Sequence, residues 1–283
     1  MIKHLIKHEY PELKTKEINK AKAFIDGKCS EYYFIDYLRT TNGNIDDAIE
    51  FYLLDDKLRT IFTQYLIRFE IQLKTDFVDS LQQETHSGSF WSKKIFYIEE
   101  ARYRSNNGKI SKYLLMKRKI ESNIARLSFK TKGPSNYVAM YSSSFGTFQE
   151  LFKLINLKYK QPFINKYTSH LNFHDYKDLN AYFEAIRRIR NRCAHGNHII
   201  TIKMVNDLNG LRSQIFKQGK NFYPCHFTVM EAVIFFMINQ LNCGIEFKNK
   251  IEKLLVLHKE LLEKYNGKHS LSGTTLSKIQ LIF

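Results

Sequence analysis

The feature that most limits what this chain can fold into is an apolar stripe of helical period between about Leu53 and Leu81. Leu54, Leu58, Ile61, Phe62, Tyr65, Leu66, Phe69, Leu73 and Phe77 recur at steps of three and four residues. That spacing places them on one face of a helix; a strand would alternate at every second residue. So long an apolar face must be covered along its length, and the rest of the sequence supplies helical patterns to do it. Phe148, Leu151, Phe152 and Ile155 share a face in a block that begins near Phe145, with Pro162 as the expected break beyond it. Leu179, Tyr182, Phe183, Ile186, Ile189 and Cys193 form the stripe of a third block, Asp178 to His195, and Gly196 supplies its stop. Two further stripes, Phe227 to Leu241 and Phe247 to Tyr265, close the chain. Turns are expected at Thr41-Asn42-Gly43-Asn44, Ser87-Gly88-Ser89 and Asn106-Asn107-Gly108. No run reads as paired strands, although His198–Met204 could be a short extended piece, and no repeat of 20–50 residues is present. The expected fold is an all-α bundle. Its expected parts are an N-terminal helical region (1–50), a main domain (51–265) and a loose C-terminal tail (266–283).

Charge says more about partners than about fold. The 283 residues carry 44 Lys and Arg against 28 Asp and Glu, a net charge of +16, which favours polyanions. The surplus is concentrated: residues 91–132 hold twelve Lys and Arg against Glu99, Glu100 and Glu121. This inserted basic segment contains Lys93, Lys94, Arg102, Arg104, Lys112, Lys117, Arg118 and Lys119, interleaved with Phe96, Tyr97, Tyr103 and Tyr113. It reads as an RNA-tracking groove with stacking platforms, or as a solvated lobe whose aromatics pack on the core. No signal peptide, membrane-spanning run or clean apolar face opposite lysines is found, so a cytoplasmic protein without membrane contact is expected. Cys29, Cys193, Cys225 and Cys243 have no metal-ligand spacing, and His170 and His174, four residues apart, lack a third ligand. Neither a metal nor a cofactor is expected.

Chemistry concentrates in one stretch. Arg187, Arg188, Arg190 and Arg192 crowd little more than one helical turn, and His195 follows just before Gly196. Four guanidinium groups so placed repel one another and form a receptor for phosphate, which arginine binds bidentately. Asn191 and His195 are four residues apart and share a helix face, and a histidine at a helix C-terminus can exchange protons near neutrality. Arginine plus histidine without a metal suits cleavage of RNA by its own 2′-OH. His195 would act as general acid or base, Arg190 would stabilise the charge developing on phosphorus, and Asn191 would orient one of them. DNA, lacking the 2′-OH, would resist. Spacing alone leaves a second reading open, a solvated basic helix end with a capping histidine. The register is also open, since Arg188 with His195, and Arg192 with His198, fit similar templates.

The run Ile189-Arg190-Asn191-Arg192-Cys193-Ala194-His195 resembles the Arg-Asn-x-x-x-His motif of HEPN ribonucleases, and its wording is similar to that of the Abi-like (AbiD/AbiF) abortive-infection proteins. Three more stretches resemble that family in order and distance. They are Tyr52–Arg59 (Tyr-x-x-Asp-x-x-Leu-Arg), Glu70–Thr75 (Glu-Ile-x-x-Lys-Thr) and Ser144–Thr147 (Ser-Phe-Gly-Thr). The resemblance implies a HEPN-type helical core, often a homodimer with facing motif helices, and a metal-independent ribonuclease acting as a toxin in antiphage defence. For some members it also implies a small noncoding RNA partner. It carries catalytic roles onto Arg190, Asn191 and His195. Two places depart from the family pattern: His198 stands where an arginine is common, and Asn197 stands where toxins silenced by AMP transfer have a tyrosine. Arg187, Arg188, Arg192 and His198 join the basic segment as expected RNA contacts. Glu70, polar on a mainly apolar helix, reads either as a plain ion pair or as a partner for an arginine of the motif helix.

Overall fold

A computed structural model describes residues 2–26, 28, 31–85, 89–103, 110–127, 135–168, 176–200, 213–218, 221–226, 229–266, 271 and 275. The described chain is all-α apart from one hairpin. Helix α1 (Ile2–Glu9), α2 (Thr15–Ile25) and α3 (Glu31–Thr40) lead into α4 (Ile45–Thr85), which at 41 residues is about 60 Å long. The turn before α4 forms where expected, with Asn42 and Gly43 at positive φ (54° and 87°). Asn44 caps the helix, its Oδ1 accepting from the Asp47 amide at 3.1 Å.

The expected stripe is the buried face of α4: Leu54, Leu58, Phe62, Tyr65, Leu66, Phe69, Leu73 and Phe77 are all closed to solvent. Around this spine pack α2, α3, α7 (Asn136–Ser142), α9 (Leu157–Thr168), α10 (Tyr176–Ala194), α12 (Gly244–Leu257) and α13 (Lys259–Lys264). Phe77 sits at the centre of an aromatic cluster, with the rings of Phe90, Phe148, Phe152 and Phe163 all within 6.0 Å of it. One continuous core runs from Ile6 to Leu271.

Three expectations are corrected. The break after α8 (Phe145–Leu154) falls at Ile155 and Asn156, and Pro162 lies inside α9. The cause is long-range: Ile98 N–H donates to Leu154 O (2.9 Å) and Asn156 N–H to Phe96 O (2.8 Å), pulling Ile155 out of the helix into a bridge with Tyr97. The last stripe is two helices, because the backbone leaves helical geometry at His258, whose buried ring meets Glu50 at 3.1 Å. A hairpin missed by pattern reading pairs β1 (Ser213–Gln218) with β2 (Asn221–His226), Ser213 opposite His226, ahead of α11 (Val229–Gln240).

The basic segment is built into the bundle. After two 3-10 turns (Phe90–Ser92, Lys94–Phe96) come α5 (Glu99–Arg102) and α6 (Lys112–Ala125). Phe96, Tyr97 and Tyr113 are buried, with the Tyr97 and Tyr113 hydroxyls donating to Trp91 O (2.7 Å) and Ser92 O (2.6 Å). Of the four interleaved aromatics only Tyr103 is exposed, under the Lys94 ammonium. Arg104, His170, His174, Cys29, residues 87–88, the Asn106–Gly108 turn, residues 201–204 and most of the tail lie outside the described residues.

Candidate functional site

Helix α10 carries the arginine-rich motif and ends as its sequence requires. Asn197 N–H returns to Arg192 O (2.9 Å) and Gly196 N–H to Cys193 O (3.2 Å), with Gly196 at φ +66°. This paired closure with glycine in the left-handed region leaves His195 on the last turn. The chain beyond is held by α4. The fully buried Asp55 accepts from the amides of Ile199 (2.8 Å) and Ile200 (2.6 Å) through Oδ1, and from Arg59 (3.0 Å) through Oδ2. Burial pushes the Asp55 carboxyl up; the Ile200 amide and Arg59 pull against that. Arg59 also donates to Gly196 O at 3.2 Å and to Asp56 at 2.8 Å. The Tyr52–Arg59 element is therefore a clamp on the end of the motif helix.

The four arginines are in different states. Arg187 and Arg188 share Glu184, at 2.6 Å and 3.0 Å. Burial would raise the Glu184 carboxyl, but these two guanidinium groups hold it down at about 2. Arg192 donates to His198 O at 3.2 Å. Arg190 is held most loosely, its Nε 3.8 Å from Glu70 and its Nη1 3.5 Å from Asn191 Oδ1, with 42% of its side chain exposed. Glu70 gives its other oxygen to Lys74 at 2.6 Å, and the Lys74 ammonium also donates to Ser143 O. Burial lowers the Lys74 pKa, and Glu70 opposes that. Glu70 is thus the plain helix-face ion pair with Lys74, and it also stands beside the motif arginine at 3.8 Å.

Arg190 lines a cleft of about 470 Å³ between α4 and α7, with Ile67, Glu70, Ile71, Lys74, Thr75, Tyr137, Met140 and Tyr141 as its other walls. Asn191 is half-buried beside it, and His195 is exposed at the helix end, outside the cleft lining. His198 is packed edge-on against Tyr33 and Tyr37, with Nε2 3.7 Å from Asp36. In the basic segment, Lys93, Lys94, Lys112, Arg118 and Lys119 are exposed; Lys119 pairs with Glu150 at 2.6 Å, and Lys117 reaches Glu121 at 3.9 Å. Arg102 instead caps Tyr97 O (2.6 Å) and Ile95 O (3.0 Å). Lys74 is the lysine of the Glu-Ile-x-x-Lys-Thr element, whereas no sequence signal beyond their spacing of four marks Tyr137 and Tyr141. Among the described residues no group of three His, Cys, Asp or Glu could hold a metal, and no helix is long and apolar enough to cross a membrane.

The family model of Abi-like proteins matches residues 29–201, from before the clamp to the end of the motif. The chain belongs to the Abi-like protein family. That membership places it in abortive infection, and the matched span takes in the four motifs on which the resemblance rests. No curated protein and no solved structure matches the chain.

Proposed function

We propose that this Abi-like protein is a metal-independent endoribonuclease of HEPN type, acting in the cytoplasm as the toxin of an antiphage response. The carrying observation is the state of Arg190: its neighbours at 187, 188 and 192 are engaged, while Arg190 is loosely held and faces a cleft, one turn before an exposed histidine. The scissile phosphate binds Arg190. The RNA's 2′-oxygen attacks phosphorus and loses its proton to a base; the bond to the 5′-oxygen breaks and that oxygen takes a proton. His195 performs one of these transfers, and Asn191 orients it or the phosphate. The products are a 2′,3′-cyclic phosphate and a 5′-OH. His195 stands outside the cleft lining, which fits a homodimer in which the second motif helix completes the proton-transfer chemistry. Lys94, Lys112 and Arg118 extend the phosphate track, and a small noncoding RNA is a fitting partner for it.

The test is cleavage and binding of single-stranded RNA by His195→Ala and Arg190→Ala. His195→Ala loses about 10²- to 10⁴-fold in cleavage rate with binding kept. Arg190→Ala loses both, and EDTA leaves the wild-type rate unchanged. Products with 5′-phosphate ends, or a His195→Ala protein as active as wild type, would refute the mechanism. Binding without cleavage by any form would leave a non-catalytic RNA clamp built from the same arginines.

A further inference from the structure

The cleft beside Arg190 has a composition that phosphate binding does not require. Its rim is apolar and open to solvent: Ile67 (52% exposed), Ile71 (54%), Tyr137 (42%) and Tyr141 (72%) all surround one opening. Exposed apolar side chains gathered around a cavity mark a binding surface. Its floor is charged and closed, since the Glu70 and Lys74 side chains retain only 15% and 9% of their exposure. Few polar groups at the base of an apolar slot is the arrangement that orients a small flat ligand, and about 470 Å³ is the scale of a ligand site.

The walls are preorganised unequally. Tyr137 is fixed, its hydroxyl donating to Asp79, whereas the Tyr141 ring one turn later projects into solvent. At the floor, Glu70 Oε1 is taken by Lys74, while Oε2 has only the Arg190 contact at 3.8 Å among the described residues. That oxygen can accept a short hydrogen bond.

We infer that this cleft is a nucleobase subsite: an unpaired base of the RNA strand stacks on Tyr141, inserts between Ile67, Ile71 and Met140, and donates an exocyclic amine to Glu70, while its own phosphate lies on Arg190. The inference rests on the proposed phosphate role of Arg190 and adds a source of sequence preference to it. Adenine, guanine and cytosine carry the amine, and uracil does not.

The experiment measures calorimetric or NMR-detected binding of inorganic phosphate and of the four nucleoside 3′-monophosphates to the full chain, alongside its mass in solution. Amine-bearing nucleotides bind about tenfold more tightly than phosphate, as one base stacked on an aromatic ring implies, with uridine 3′-monophosphate the weakest nucleotide. Tyr141→Ala weakens all four nucleotides towards the level of phosphate while the amine-bearing ones keep their lead over uridine 3′-monophosphate, and its exposed position keeps the fold intact, which a thermal melt verifies. Nucleotides that bind no better than phosphate would overturn the subsite and leave the role of Arg190 standing. Phosphate binding indifferent to Arg190→Ala would overturn both. Dissociation of a dimer by Tyr141→Ala would give the rim to a second copy of the chain and overturn the subsite.

Discussion

Lys160 is 2% exposed, yet its ammonium donates to Phe152 O at 2.6 Å and lies 4.6 Å over the Phe152 ring, at the end of α8. Burial lowers its pKa from 10.5 to about 8. Between those two values the unfolded chain holds a proton that the folded chain has released, so this lysine makes stability rise with pH. Against Lys160→Met, wild type should gain up to about 3 kcal/mol between pH 7 and pH 10.5, read by urea unfolding at both ends of the window. Equal pH slopes for the two proteins would mean that the ammonium is solvated. Nothing in the sequence marks Lys160, because its burial depends on where α8 ends, and a contact with residues 96–98 sets that end. Arg190, Asn191 and His195 stand out in the sequence for the opposite reason: their residue types and spacing lie within about a turn and a half of one helix. Their sequence could not tell which arginine of the four is loosely held, since Glu184 and the His198 carbonyl decide that through folded geometry.

At the scale of elements, the long helix was legible because a single period runs through it, and its ends were not. The regular stripe begins near Leu53, eight residues inside the helix, because Ile45–Tyr52 faces α2 and α3 with a less regular pattern. The hairpin at 213–226 escaped because neither strand alternates cleanly and Pro224 sits within the second. The clamp is the element-scale device with the clearest consequence. Asp55→Asn keeps size and the oxygen that accepts both amides, but it removes the charge and puts an NH2 donor against the Arg59 guanidinium, which keeps only Asp56 as its carboxylate. It should cost about 3 kcal/mol. The end of α10 should loosen first, seen as faster amide exchange at Ile199 and Ile200 than in the core of α4. Gly196→Ala tests the same end more gently. Nothing lies within 4 Å of the added methyl, so only the left-handed backbone is strained, at about 1 kcal/mol. Stability unchanged in both variants would show that the helix end is not held from α4.

For the whole molecule, the surplus of +16 sets how any polyanion is met, and its distribution decides which face does the meeting. The basic segment was legible as a charge concentration and misleading as a stacking surface, because Phe96, Tyr97 and Tyr113 spend their rings on the core. On the proposed RNA role, the segment offers one exposed ring, Tyr103, and several exposed cations, so its contribution is mainly electrostatic and salt-dependent. If Arg190, Lys94, Lys112 and Arg118 each neutralise one phosphate of a single strand, log K should fall with log salt at a slope of about −2.8. That is about a fiftyfold loss of affinity between 50 and 200 mM salt. Lys112→Gln with Arg118→Gln should flatten the slope by about 1.4, while Arg187→Gln, whose guanidinium is held on the Glu184 carboxylate that it shares with Arg188, should change it by less than a single phosphate contact. Anisotropy of labelled single-stranded RNA on the His195→Ala protein measures binding without cleavage. A slope that the double substitution leaves untouched would make α6 a solvated face and move the strand's path elsewhere on the bundle. A slope that falls with it would run the strand from α6 to the motif helix, joining the two basic regions that the sequence keeps about 70 residues apart.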